Sequence, residues 1–286
     1  MLVQEILAVD VGASKLAAAR VTSDGLIKKQ SSIPTKADDG NELFKKLLSL
    51  SEEVLEEVEV EGCGVGSAGP MTKNGEEISP LNIPQWRNFP LRSKLSEALG
   101  VPVVLDNDAK AIALAEGWIG AASGQRNYLA MVVSTGIGGG LVIDGKLLGG
   151  EVGNAGHIGH VNVLPDGPLC VCGSMGCLEA VASGCAIEKE TGMPAEEASE
   201  EIKIRCGYFV GKAVSIAVNL LNIPTVLIGG SVALGFGATF LDQVRLTAAN
   251  FCGLDFTQNL QINFVALKKE APLVGAAAVW LNAKGA

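Results

Sequence analysis

Three cysteines and a histidine crowd together in the stretch NAGHIGHVNVLPDGPLCVCGSMGC, where His160, Cys170, Cys172 and Cys177 follow the spacing H-x9-C-x-C-x4-C. Three thiolates and one imidazole form the closed tetrahedral ligand set of a structural zinc ion, and Gly173 and Gly176 let the chain fold around it. Three buried free thiols are the alternative, and a polar loop rich in Gly and Pro is a poor place for them. The spacing is not that of a zinc finger, and no basic helix follows. His157, the only other histidine of the chain, is then left over, either a hydrogen-bonded loop residue or a functional one.

A second chemistry is written in glycine-rich turns. In DVGASK, Asp10 follows an apolar strand, Gly12 permits a tight turn, Ser14 offers a hydroxyl to a phosphate oxygen and Lys15 a positive charge. Asp10 could hold Mg²⁺ through water. The same letters also spell an ordinary hairpin turn. The run STGIGGG is barer: Ser134, Thr135, Gly136, Gly138, Gly139 and Gly140 leave a backbone that something else is expected to approach closely. VLIGGSVA supplies a third bare turn at Gly229 and Gly230, suited to a flat ring or a ribose. No Walker lysine pattern and no G-x-G-x-x-G with a downstream carboxylate is present, which excludes P-loop and Rossmann binders. In VVLDNDAKAIALAEGW, Asp108 stands where a strand gives way to an Ala-rich helix, either as the helix N-cap or as a carboxylate facing a cleft.

The elements that must hold these residues alternate between strand and helix. EILAVDVGA, KLAAARVTSD and LIKKQSSIPT read as three strands, and Leu43 to Val58 repeats apolar residues at helical spacing. GCGVGSAGP is strand into loop, Leu91 to Leu99 a short amphipathic helix, and VPVVLDNDA strand into helix, giving β-β-β-α-β-α-β. NYLAMVVSTGIGGGLVIDGKLL then restarts the pattern, an internal repeat of one supersecondary unit. A domain boundary is expected near residue 109, separating a first domain of residues 1–108 from a larger one, 109–270, that carries the zinc loop. APLVGAAAVWLNA reads as a small-residue helix packed against the sheets.

Composition limits the partners. The 48% apolar fraction and 36 glycines of this 286-residue chain fit a compact α/β enzyme. A net charge of −9 without a basic run argues against nucleic acid. MLVQEILAVDVGASK lacks the basic start of a signal peptide, and YFVGKAVSIAVNLLNIPTVLIGG is broken by Lys212, Asn219, Asn222 and Pro224. It reads as a buried helix, a turn and a core strand, so no membrane partner is expected. Seven cysteines, an odd number with three of them clustered, point to a reducing cytoplasm.

The three turns, in this order and spacing, resemble the two phosphate motifs and the adenosine motif of the actin-like sugar kinases. LDNDAKA, NAGHIGH and CVCGSMGCLEA are similar to segments of the ROK family (repressors, open reading frames, kinases), and the resemblance runs over almost the whole chain. It implies a duplicated actin-like, ribonuclease H-like α/β fold, with two domains around a cleft and the C-terminal helix 271–286 returning to the first. It further implies ATP with Mg²⁺ at the turns, a structural zinc on the four ligands, and commonly a homodimer. A catalytic carboxylate is implied at Asp108, with sugar contacts at Asn107, Glu179, His157 and His160, the last being also a zinc ligand. Asn82 is either a sugar contact or a turn residue before Pro84. Where the family usually shows Gly-Gly-Thr this chain has Gly12-Ala13-Ser14; the hydroxyl is kept, and nucleotide binding is expected to survive.

Transfer of the γ-phosphate of ATP to the 6-hydroxyl of an aldohexose follows, with glucose first. Many ROK glucokinases carry Glu where this chain has His157, and an imidazole can donate where a carboxylate only accepts, which favours a 2-acetamido sugar. AGHIGH, GPLCVCG and IGGSVAL look like bacterial N-acetylmannosamine kinases, whereas SPLNIPQWRNFPL and LDNDAKAIALAEGW look like glucokinase-type members. A sugar-sensing repressor would carry a helix-turn-helix ahead of the first phosphate turn, for which Asp10 leaves no room. A polyphosphate donor would call for a basic track, and the sequence shows none.

Overall fold

A computed structural model describes residues 4–285, which cluster into two compact units. The first holds everything described up to Ser123, then Gly149–Ala155 and the stretch from Lys269 onward; the second holds Gly124–Leu148 and Gly156–Lys268.

In the first unit, strands β1 (Glu5–Val11), β2 (Lys15–Thr22), β3 (Ile27–Pro34), β4 (Cys63–Ser67) and β5 (Val103–Asn107) form one sheet in the order β3-β2-β1-β4-β5. The hairpin strands β1, β2 and β3 pair antiparallel, while β1, β4 and β5 run parallel. The inner strands β1 and β4 are buried almost throughout, as their unbroken runs of apolar and small residues require. The edge strand β3 alternates half-buried and exposed residues. Helix α1 (Gly40–Leu55) lays Leu43, Leu47, Leu50 and Val54 on the sheet, and the Asp39 side chain accepts from the first-turn amides of Asn41 and Glu42. Val58, read into this helix from its spacing, lies beyond its end. Helix α2 (Leu91–Leu99) precedes β5, and α3 (Asp108–Trp118) follows it directly.

The opposite face of the sheet is covered by the last helix, α8 (Ala271–Lys284), whose Ala276, Ala277 and Trp280 join Ile6, Ala8, Ala19 and Val21 in one cluster. Small residues let α3 and α8 approach closely, Gly275 lying against the backbone of Ala111. For that reason α3 stays with the first unit, which extends to Ser123 rather than ending near residue 109.

The second unit repeats the plan. Strands β6 (Tyr128–Val133), β7 (Ile137–Ile143), β8 (Lys146–Leu147), β9 (Thr225–Gly229) and β10 (Gln261–Phe264) take the order β10-β9-β6-β7-β8, with β6, β7 and β8 antiparallel and β6, β9 and β10 parallel. The bare glycine run is therefore mostly strand: Gly138, Gly139 and Gly140 pair with Val132, Met131 and Ala130, and only Ser134–Gly136 turns. The short helices α4 (Leu178–Ala182) and α5 (Gly184–Thr191) precede the long pair α6 (Glu200–Leu221) and α7 (Ser231–Phe251). Among the described residues α6 is the one helix long and apolar enough to cross a membrane, yet 56% of that stretch is buried inside the protein. Its Phe209, Val210, Val214 and Val218 belong to the core of the unit, and Asn222, in left-handed conformation, ends it ahead of Pro224.

Trp280 is 2% exposed, but its ring N–H has no hydrogen-bond partner. Trp280→Ala is expected to cost about 3 to 5 kcal/mol in chemical denaturation through the cavity it leaves. Trp280→Phe removes the unpaired N–H together with some ring volume and is expected to cost far less.

Candidate functional site

Parallel pairing brings Asp10, Gly66 and Asp106 side by side at the ends of β1, β4 and β5, so Asp108 starts α3 in the neighbourhood of Asp10. The first turn is closed by the Gly12 amide donating to the Lys15 carbonyl at 3.0 Å. Thr35, which the sequence did not single out, pins it from just past β3: its hydroxyl donates to the Gly12 carbonyl at 2.8 Å and its amide to the Ser14 carbonyl at 3.1 Å. Ser14 and Lys15 stay exposed, while Asp10 is buried. Burial pushes the Asp10 carboxyl up to about 7, with the Asp108 charge adding to the rise and Lys15 opposing it.

The cap of α3 belongs to Asn107, whose side chain accepts from the Ala109 amide at 3.0 Å; Asp108 is the first helical residue and accepts from the same amide at 2.8 Å. Asp108 keeps some open surface but lies deep in the unit. Desolvation lifts its carboxyl above the usual range, and the Ala109 amide pulls it partly back. Two carboxylates that penalise each other's charge beside an anion-ready turn are a donor set that fits a divalent cation such as Mg²⁺. Asn82 sits exposed in a turn held by the guanidinium of Arg87, which donates to the carbonyls of Leu81 and Ile83 at 3.1 Å each. Trp86, stacked on Phe89 at 4.9 Å, anchors that loop in the core.

Lys110 was not marked by the sequence reading, although its i,i+4 spacing from Asp106 was visible. It is 1% exposed, donates to the Gly153 carbonyl at 2.5 Å and lies 3.4 Å from Asp106. With Lys73, Asp106 and Glu151 it lines a cavity of about 260 Å³ in the first unit.

In the second unit the Ser134–Gly136 turn is enclosed by hydrogen bonds. The Ser134 amide donates to the Gly136 carbonyl at 2.9 Å, and the amides of Gly184 and Cys185 donate to the carbonyls of Ser134 and Thr135 at 2.8 and 3.2 Å. The Ile137 amide donates to Glu179 Oε2 at 2.8 Å, and the Ser134 and Ser231 hydroxyls lie 2.9 Å apart. The third turn has a reason of its own for being bare. Gly230 has a φ of 96°, and a Cβ there would stand 2.3 Å from the Val133 carbonyl oxygen, while one on Gly229 would meet Val265. Close packing of β9 and its turn on neighbouring chain, and not ligand approach alone, accounts for that pair.

The zinc candidates converge. The ligand atoms of His160, Cys170, Cys172 and Cys177 all lie within 4.8 Å of one another. Cys170 Sγ is 3.7 Å from His160 Nδ1, and Cys172 Sγ is 3.7 Å from Cys177 Sγ. Tetrahedral zinc with N and S ligands separates such atoms by roughly 3.5 to 3.8 Å, so the set fits a closed structural site. His157 lies apart from it, exposed, with its ring centre 5.8 Å from that of His160.

The sequence pattern of the ROK family matches residues 6–283. This chain belongs to the ROK family. It is 30% identical to a glucokinase from Thermotoga maritima over 96% of each chain. It is 36% identical to an N-acetylmannosamine kinase from Citrobacter koseri over 84% of this chain and 87% of the relative. The crystal structure of a ROK family glucokinase from Streptomyces griseus, in complex with glucose and AMPPNP, aligns with a TM-score of 0.84 at 28% identity, covering 96% of this chain and 98% of that one. The duplicated, actin-like two-domain kinase fold implied by the sequence motifs is thus the fold of the ROK chain.

Two outcomes follow from this geometry. The purified ROK protein is expected to hold one zinc ion per chain by elemental analysis, and Cys172→Ser to lower both zinc content and melting temperature. The folded state holds Asp10 at about 7 against 3.8 for an unperturbed Asp, so it keeps a proton that the unfolded chain has released. Stability tied to this group is therefore greatest in acid and is lost as pH rises from about 4 to about 7. Asp10→Asn, measured without magnesium or nucleotide, is expected to flatten that stretch of the stability curve and to gain up to about 4 kcal/mol above pH 7.

Proposed function

We propose that this chain, an ATP-dependent sugar kinase of the ROK family, transfers the γ-phosphate of ATP to the 6-hydroxyl of an aldohexose, with glucose as its first substrate. The observation that carries the reading is the pairing, in one unit, of the first phosphate turn with two mutually repelling carboxylates, Asp10 and Asp108.

Phosphoryl transfer passes through a loose transition state, so the enzyme mainly positions groups and neutralises charge. Mg²⁺, when bound with ATP, would offset charge on the phosphates, with Asp10 holding it through water. Asp108, set rigidly at the start of α3, orients the sugar hydroxyl and takes its proton as the bond to phosphorus forms. Its raised affinity for a proton suits it to that step better than an ordinary Asp, and the arrival of a cation near Asp10 favours its ionised form. Asn107, Glu179, His157 and Asn82 hold the remaining hydroxyls. His160 belongs to the zinc knot and supports the sugar contacts from there. The turn at residues 12–15, and the turn at residues 134–136 together with Gly138 at the start of β7, cradle phosphates, and Gly229 and Gly230 lie against the adenosine.

A second reading, an N-acetylmannosamine kinase, is favoured by His157, which offers a donor where a carboxylate would only accept. The experiment is a coupled ADP-release assay on glucose, mannose, N-acetylglucosamine and N-acetylmannosamine. Glucose is expected to give the highest kcat/KM, His157→Glu to move preference further from the 2-acetamido sugars, and Asp108→Asn to lose roughly 10²- to 10⁴-fold in kcat with sugar binding kept. Preference for N-acetylmannosamine would replace glucose with the second reading, and near wild-type turnover in Asp108→Asn would remove Asp108 from its role.

A further inference from the structure

We propose that Glu179 is a positioning residue for the second phosphate turn, so that one carboxylate links the sugar side of the reaction to nucleotide affinity. The inference rests on the reading of Ser134–Gly136 as a phosphate turn and adds to it a device that holds the turn in shape.

The geometry points to a short segment, residues 177–185, as the clamp. It starts at Cys177, the last zinc ligand of the knot, which is also the N-cap of α4. Two residues on, Glu179 turns its Oε2 to the Ile137 amide, 2.8 Å away, at the exit of the turn. Six and eight residues after Cys177, Ser183 caps α5 by accepting from the Ala186 amide, and Cys185 donates to Thr135. Gly184 and Cys185 thereby engage the carbonyls of Ser134 and Thr135, the two groups of the turn that would repel a phosphate. Glu179 orients the other end, where β7 begins. With its carbonyls engaged by helix amides and its exit held by Glu179, the turn keeps one shape, and that preorganisation is what a phosphate site needs.

The contact is close enough to select the residue beside it. A Cβ on Gly136 would stand 2.8 Å from Glu179 Oε2, so a side chain there would push the carboxylate from its place on the Ile137 amide. Gly136 has no left-handed φ to account for the glycine otherwise. Glu179 is half-buried; with Oε2 held on the Ile137 amide, its second oxygen is the one left for a sugar hydroxyl.

The test measures binding of a magnesium-bound, non-hydrolysable ATP analogue to the zinc-loaded full chain with no sugar present. Glu179→Ala is expected to weaken binding by about tenfold or more, the size of a lost hydrogen bond to a charged group. Glu179→Gln keeps an oxygen for the Ile137 amide and is expected to bind the nucleotide within about threefold of wild type while its KM for sugar rises. Gly136→Ala approaches the same contact from the other side and keeps Glu179 itself, so it serves where Glu179→Ala fails to fold. It is expected to weaken nucleotide binding too, and to add little when combined with Glu179→Ala. Nucleotide binding unchanged in both Glu179→Ala and Gly136→Ala, or lost equally in Glu179→Gln and Glu179→Ala, would overturn the proposal while leaving the kinase reading intact. A wild-type chain that binds no nucleotide would overturn both.

Discussion

The constraint on which the rest depends is the parallel register of the inner strands. In the first unit Asp10 lies beside Gly66 and Gly66 beside Asp106, so the chain leaves β1 and β5 at neighbouring points on one edge of the sheet. The second unit repeats this, with Val132 of β6 beside Gly229 of β9, so the Ser134–Gly136 turn and Gly230 are neighbours in the same way. Ligands of open α/β sheets gather at the carboxyl ends of strands because that is where loops and helix starts converge. A register slip of one residue would turn Asp10 to the other face of its strand.

That placement has an electrostatic cost, visible at Asp10 and Asp108. Each is held where water solvates it poorly, and the charge of Asp108 raises the Asp10 carboxyl further. Such strain in a folded chain is a mark of a functional site more often than of a structural one, since burying apolar residues there would be more stable. Asp106 shows the contrast. Burial lifts its carboxyl too, but buried Lys110, four residues on in α3, opposes the rise, so that charge is compensated within the protein.

The second unit achieves order by a different route. Here the turn at residues 134–136 is held from outside by backbone amides and one carboxylate, all from a segment that begins at Cys177 of the His/Cys cluster. Two short helices do in this unit what Thr35 and a strand pairing do in the first. The short helices α4 and α5 are marginal by length, and fixed ends compensate for the nucleation that short helices lack.

Much of the fold was legible because its signals are local. Apolar runs of strand length, helical spacing in α1 and the repeat of EILAVDVGASK in NYLAMVVSTGIGG depend only on neighbours in the chain, and they predicted both sheets. The spacing of His160, Cys170, Cys172 and Cys177 likewise marked a cluster that fits zinc, since ligand chemistry and a short loop suffice to bring four donors together. What the sequence could not decide were questions of partner. Its bare glycines read as room for a ligand, yet Gly230 is bare against Val133, Gly136 against Glu179, and Gly138–Gly140 lie in a strand. The domain boundary moved because α3 packs on a helix over 150 residues away in sequence. The raised proton affinity of Asp108 was not legible either, because desolvation is a property of the surrounding mass and not of the residue. The sequence by itself determined which groups could do chemistry, and only the tertiary structure decided what each one faces, because burial and contact are set by chain segments far apart.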